Sequence, residues 1–201
     1  MKYVRLLQKY IGVDIYGECG DHKCGHTRSM GTKYRSDDDQ CFDMVNRKYR
    51  FYLSFENALC RDYVTEKAFN ALKLNTIPIM FGGADYDQYL PPHSYIDALQ
   101  YPDPGDLAHH LHSLLHDHDQ FQSYFSWRPH YDVLSYDSVP DNCDLCSQLV
   151  SGELSRHHSY HDMWSWLIRD SGCVFTRRSW SLDRFQQVWR EETRRRRRIN
   201  V

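Results

Sequence analysis

The sequence predicts an α/β fold in which helices cover a parallel sheet. Three observations predict it: Phe51 to Phe55 is a short β-prone run, Ile77 to Phe81 is a second, and Val64, Ala68, Ala71 and Leu72 recur between them at helical spacing. Strand, helix, strand in that order is a βαβ unit, whose right-handed crossover makes the two strands parallel. The chain has 201 residues, of which 41% are hydrophobic and 26% charged. That is an ordinary globular composition, with length for one large domain or two small ones. Disorder, collagen-like repeats and coiled coils are excluded on the same grounds.

Taken in order, Val4, Leu7 and Ile11, flanked by Leu6 and Tyr10, predict a short helix over residues 1–10. Val13 to Tyr16, an apolar run stopped by Gly17 and Gly20, predicts a strand. Residues 18–40 are polar, contain glycine and carry Asp37, Asp38 and Asp39, the pattern of a loop. After the first strand of the βαβ unit, Asp62 and Thr65 offer cap oxygens for a helix from about residue 64 to 74. Glu66, Lys67, Asn70 and Lys73 lie on the other face of that helix. Gly82 and Gly83 close the second strand, and Ser94 to Ile96 supply another short one after Pro91-Pro92. Leu107, Leu111, Leu114 and Leu115 mark the buried face of an amphipathic helix that starts after Pro104. Phe121, Tyr124, Phe125 and Trp127 keep helical spacing until Pro129. An aspartate-rich polar span, Tyr131 to Asn142, comes next, and polar loops with a short helix around Met163 to Ile168 complete the chain.

Net charge is −2, from 25 basic and 27 acidic residues, but five of the arginines sit together at Arg194 to Arg198. Without those five, 20 basic residues face 27 acidic ones and the body carries −7. An acidic body lacks the basic face of a nucleic-acid-binding domain. The arginine run itself reads as a solvated terminus, with a nuclear-import or nucleic-acid segment as the rival reading. The longest apolar candidate, Ile77 to Ala84, is far short of a membrane span. Met1 to Tyr10 carry charge throughout and do not resemble a signal peptide. No Asn-x-Ser/Thr sequon occurs.

Chemistry concentrates after the first strand of the βαβ unit. In a doubly wound sheet, ligands bind outside the carboxyl ends of the strands. A helix opening there presents N–H groups and positive dipole to a diphosphate, Lys67 adds a full charge on its first turn, and Glu66 can accept from ribose hydroxyls. The plain alternative is ordinary capping, with Thr65 as cap, Glu66 favourable to the dipole and Lys67 solvated. His112 and His116 have the i, i+4 spacing of helical zinc ligands, within a run that also holds His109, His110 and His118. Because the leucines claim the buried face, His109, His112 and His116 read as a solvated surface. Seven cysteines are present. Cys143-x-x-Cys146 is half of a zinc motif without a second pair at compatible spacing, so these two are not expected to be zinc ligands. Cys19, Cys24, Cys41 and Cys60 can pair among themselves, with connectivity left open.

The run Tyr49-Arg-Phe-Tyr-Leu-Ser-Phe-Glu-Asn57, followed by Cys60-Arg-Asp-Tyr-Val-Thr-Glu-Lys67, resembles the donor-binding signature of the α1,3-fucosyltransferase family. The resemblance extends upstream to Val13-Asp-Ile-Tyr-Gly-Glu-Cys-Gly20. Downstream it takes in Asn70-Ala-Leu72, Pro78, Gly82, Pro91 to Ile96, Leu107-Ala108 and Tyr124-Phe-Ser-Trp127, so it spans roughly residues 1–130. The cysteine spacing looks most like the invertebrate members.

The resemblance implies two Rossmann-like domains in the GT-B arrangement, with the C-terminal one holding the nucleotide sugar. Residues 1–130 are then the GDP-fucose donor-binding domain, and 131–201 an irregular C-terminal extension with the cysteine pair and basic tail. The implied reaction passes L-fucose from GDP-fucose, in α1,3 linkage and with inversion, to N-acetylglucosamine of a glycoprotein N-glycan in the Golgi. Tyr63, Glu66 and Lys67 match donor-contacting positions, the lysine meeting phosphate and the glutamate ribose; Glu56 and Asn57 match positions lining the same cleft. No metal cofactor is obligatory in such chemistry, because a basic residue does the cation's work. The family also keeps a cysteine pair near its C-terminus in disulfides, which can reach the N-terminal half. By comparison with the family, the chain is expected to lack the acceptor half with its general base, an upstream phosphate-binding arginine and the membrane anchor. No residue is assigned as the base. The chain alone is expected to bind GDP or GDP-fucose and to transfer little or no fucose; the alternative is a non-catalytic GDP-sugar-binding fragment.

Overall fold

The computed structural model describes residues 1–17, 19–24, 40–101, 103–134, 143–152, 159, 161–173, 187, 190, 191 and 194. The readings of residues 37–39, 135–142 and 195–198 fall outside the described residues. The βαβ unit is present: β1 (Phe51–Phe55) runs parallel to β2 (Ile77–Phe81), with Phe51 opposite Ile77 and Phe55 opposite Phe81. Helix α3 (Glu66–Leu72) is the crossover between them. A short strand, β3 (Ile96–Asp97), pairs in parallel with Ile79 and Met80 on the far side of β2, so the order is β1-β2-β3.

Strand β2 is buried at every position, which is why it reads as an unbroken apolar run rather than an alternating one. It tolerates Pro78 because of where the strands end. The Ile77 N–H donates to Arg50 O on the β1 side at 2.9 Å. The nitrogen of the next residue therefore faces the opposite flank, and β3 reaches only Ile79 and Met80.

Each face of the sheet has its own helical cover. On one, α1 (Lys2–Leu7) and α4 (Pro104–His116) pack together, and Tyr3, Leu7, Leu107, Leu111 and Leu114 meet Ile77, Ile79 and Phe81. On the other, Ala68 and Leu72 of α3 meet Met80, Tyr86, Leu90 and Trp127. Strand residues alternate between the two cores because successive side chains point to opposite faces. The start of α4 is set by Asp103, whose carboxylate accepts from Gly105 N at 2.7 Å and Asp106 N at 3.1 Å, and by Pro104 at the first helical position.

Helix α5 (His118–Ser123) is capped by Asp117, which accepts from Gln120 N at 2.9 Å. Turns then carry the buried Tyr124 and Trp127. Further along, a π-helical stretch covers Ser165–Asp170.

Four readings need correction. Val13 to Tyr16 build no strand ladder: Tyr16 makes an isolated bridge to His22, and Gly17, at φ 96°, turns the chain away. Those residues instead use side chains, Tyr49 OH donating to Asp14 at 2.6 Å and lying 2.8 Å from Tyr16 OH. Leu115 is 47% exposed rather than buried, because it sits about 80° around the helix from Leu107, at the edge of the apolar stripe. Two helices were not foreseen, α2 (Gln40–Lys48) and α6 (Cys143–Ser151); the pair Phe42 and Val45, three apart, is the signal for the first. Finally, Cys60 pairs with Cys173, and only Cys24 and Cys41 pair within the N-terminal set.

Candidate functional site

The loop from Glu56 to Thr65 leaves the carboxyl end of β1 and enters α3, where the sheet geometry puts ligands. Glu56 extends the ladder by one residue, its N–H donating to Phe81 O at 2.9 Å. Its side chain is fully enclosed and meets the residues that open α3. Glu56 Oε1 accepts from Thr65 N at 2.9 Å, and the Thr65 hydroxyl lies 3.0 and 2.9 Å from the two carboxylate oxygens. Lys67 Nζ donates to Glu56 Oε2 at 3.0 Å and to Thr65 Oγ1 at 3.2 Å. Thr65 is therefore the N-cap by position, yet its hydroxyl does not cap the helix; it faces Glu56 instead.

Of the predicted site residues, Glu56 and Lys67 are brought together as an ion pair. Lys67 keeps 30% of its side chain exposed, while that of Glu56 has none. Glu66 and Asn57 are exposed and Tyr63 half-buried on the same loop and first turn. Glu56 lies under this surface rather than on it.

The loop is held from two sides. Cys60 is bridged to Cys173, and Arg61 N–H donates to Ser171 O at 2.9 Å. Asp62 takes φ 60°, the left-handed region that aspartate tolerates better than most residues. Against β2, a Cβ on Gly83 would fall inside the Cys60 backbone, so the glycine is what lets the loop close on the strand end. Gly83→Ala is expected to lower stability by about 1–3 kcal/mol, the usual cost of overpacking. Thermal denaturation checks this, and an unshifted midpoint would mean the Cys60 loop yields freely.

The histidine helix presents no ligand set. His112 Nε2 lies 3.2 Å from Tyr10 O, His116 Nδ1 lies 2.7 Å from His112 O, and His110 approaches Tyr124 OH at 3.3 Å. Burial, and then the neighbouring His109 charge, hold the His110 pKa below the usual histidine value. Among the described residues no group of three or more His, Cys, Asp or Glu is placed to hold a metal. Cys19, Cys143 and Cys146 are exposed thiols. A cavity of about 260 Å³ lies beside β3, lined by Asp87, Tyr95 and Tyr124 among others, and none of the five candidate residues borders it. Its groups pair with each other, as in the 2.8 Å bond from Tyr95 OH to Asp87.

Residues 1–166 match the family model described as glycosyltransferase family 10 (fucosyltransferase), C-terminal part. The chain is 45% identical over 161 residues to alpha-(1,3)-fucosyltransferase C of Drosophila melanogaster, an alignment covering 80% of this chain and 35% of that protein. It is 38% identical over 184 residues to glycoprotein 3-alpha-L-fucosyltransferase A of the same organism, covering 90% and 34%. To the Xenopus laevis GDP-fucose protein O-fucosyltransferase 3 it is 35% identical over 132 residues, covering 65% and 28%. The chain thus spans about a third of the length of the curated relatives it matches. No helix among the described residues is long and apolar enough to cross a membrane. With the signature loop, the parallel βαβ unit and a family match over most of its length, the chain belongs to glycosyltransferase family 10, the fucosyltransferases, of which it carries the C-terminal Rossmann-like part.

Proposed function

We propose that this chain binds GDP-fucose, as the donor-binding part of an enzyme that transfers L-fucose in α1,3 linkage, with inversion, to N-acetylglucosamine of a glycoprotein glycan. The observation that carries the reading is the Lys67 ammonium, held by Glu56 and Thr65 at the carboxyl end of β1 in a chain of fucosyltransferase family membership. Residues 1–130 form the donor domain in this reading, and 131–201 the extension that ties back through Cys173. Lys67 meets the diphosphate, Glu66 accepts from ribose hydroxyls, and Tyr63 and Asn57 border the nucleotide sugar. The Golgi is the compartment in which such transfer to glycoproteins would run.

In the reaction so proposed, the acceptor hydroxyl attacks the anomeric carbon of fucose and the bond to the diphosphate breaks on the opposite side. Negative charge then grows on the leaving GDP, and a cation already aimed at that position stabilises it without reorganisation. Lys67 supplies that cation. Inversion also needs a base within hydrogen-bond reach of the acceptor hydroxyl; the residues described supply the donor side only. Isothermal titration with GDP and GDP-fucose tests the reading. Saturable binding of both is expected, and no binding of either overturns it.

A further inference from the structure

We propose that Glu56 is a positioning residue for Lys67: it never meets the donor, and it fixes the direction in which the ammonium points. The inference rests on the donor role of Lys67 proposed above. Three features carry it. First, the Glu56 side chain is fully enclosed, with each of its oxygens accepting from Thr65 or Lys67, so a ligand on the surface does not reach it. Second, the bonds have a consistent direction. Lys67 donates to Thr65 Oγ1 and to Glu56, while the Thr65 hydroxyl donates its single proton to the carboxylate. Third, an ammonium has three N–H groups and two are spent here, which leaves one for an anion on the exposed side of Lys67.

Such an arrangement has a cost and a gain. The carboxylate offsets the lysine charge that a diphosphate would otherwise feel in full. In return, a flexible four-carbon side chain is ordered before the donor arrives, so less rotamer freedom is lost on binding. Glu56 also accepts from the Thr65 N–H, which holds in place the Thr65 hydroxyl that Lys67 bonds to.

The test is a cycle of GDP affinities measured by titration on the whole chain. Glu56→Asp keeps the charge but withdraws the carboxylate by one methylene, and is expected to weaken GDP binding about tenfold. Combined with Lys67→Ala, it is expected to add nothing to the loss from Lys67→Ala alone, since a residue acting through Lys67 has no effect once Lys67 is gone. Thr65→Val, which keeps the volume and removes the hydroxyl, should also weaken binding several-fold, whereas Thr65→Ser should not. This second pair decides the matter even if Glu56→Asp fails to fold. Parent-like affinity in Glu56→Asp, multiplying losses in the double variant, or equal affinities in Thr65→Val and Thr65→Ser would overturn the proposal. Unchanged affinity in Lys67→Ala would instead remove the donor reading beneath it.

Discussion

Removing the Cys60–Cys173 bridge is expected to be among the most destabilising changes available in this chain. The two cysteines are 113 residues apart. Cross-linking positions that far apart restricts the unfolded chain strongly, and chain entropy puts the contribution at about 4–5 kcal/mol. Cys24–Cys41 closes a separation of only 17, for which the same argument gives about 3 kcal/mol. A domain of ordinary stability has about 5–15 kcal/mol in total, so losing the longer bridge takes a large share. Expressed as a melting temperature, the Cys60→Ser/Cys173→Ser variant should fall by about 8–20 °C, at roughly 2–4 °C per kcal/mol for a chain of this size. The effect reaches the site as well, because Cys60 lies in the loop that delivers Thr65 and Lys67 to their places. Thermal denaturation of this variant beside Cys24→Ser/Cys41→Ser checks the claim. A smaller drop in the first than in the second would contradict the ranking.

Lys67→Ala is expected to produce two losses at once. A charge-assisted bond to a diphosphate contributes about 1.5–3 kcal/mol, so GDP affinity should fall on the order of 10- to 150-fold. Stability should fall too, since the change leaves a buried carboxylate without its cation. Breaking a buried pair from one side costs about 3–5 kcal/mol. Here the low end or less is expected, because Lys67 is 30% exposed and Thr65 still bonds to Glu56 through N–H and hydroxyl. Titration with GDP and chemical denaturation measure the two losses separately. A variant that lost stability but bound GDP like the parent would leave Lys67 with a structural role alone. Glu66→Ala should cost less affinity than Lys67→Ala if Glu66 meets only ribose hydroxyls.

The βαβ unit was legible from residues alone because its determinants are local. Strand β2 shows as an apolar run and α3 as a three-four repeat, and each pattern is imposed by the period of its own backbone. The loop from Glu56 to Lys67 was legible as a motif, and family membership follows from it. What the motif did not disclose was the place of Glu56. Whether a carboxylate lines a cleft or lies buried beneath it depends on how the chain turns between β1 and α3, and that turn is set by contacts with Phe81, Gly83 and Cys173.

Cysteine connectivity was equally beyond reach. Loop-closure entropy grows only with the logarithm of separation, so spacing favours a partner 17 residues away over one 113 away by less than about 2 kcal/mol, which packing can outweigh. Val13 to Tyr16 have strand-forming residues, but a ladder needs a neighbouring backbone, and the chain sends Gly17 away while tying Asp14 and Tyr16 to Tyr49 through side chains. The sequence by itself determined the periods, the motif and the family. The tertiary structure decided which groups meet across long separations, because those meetings depend on packed surfaces that no local pattern encodes.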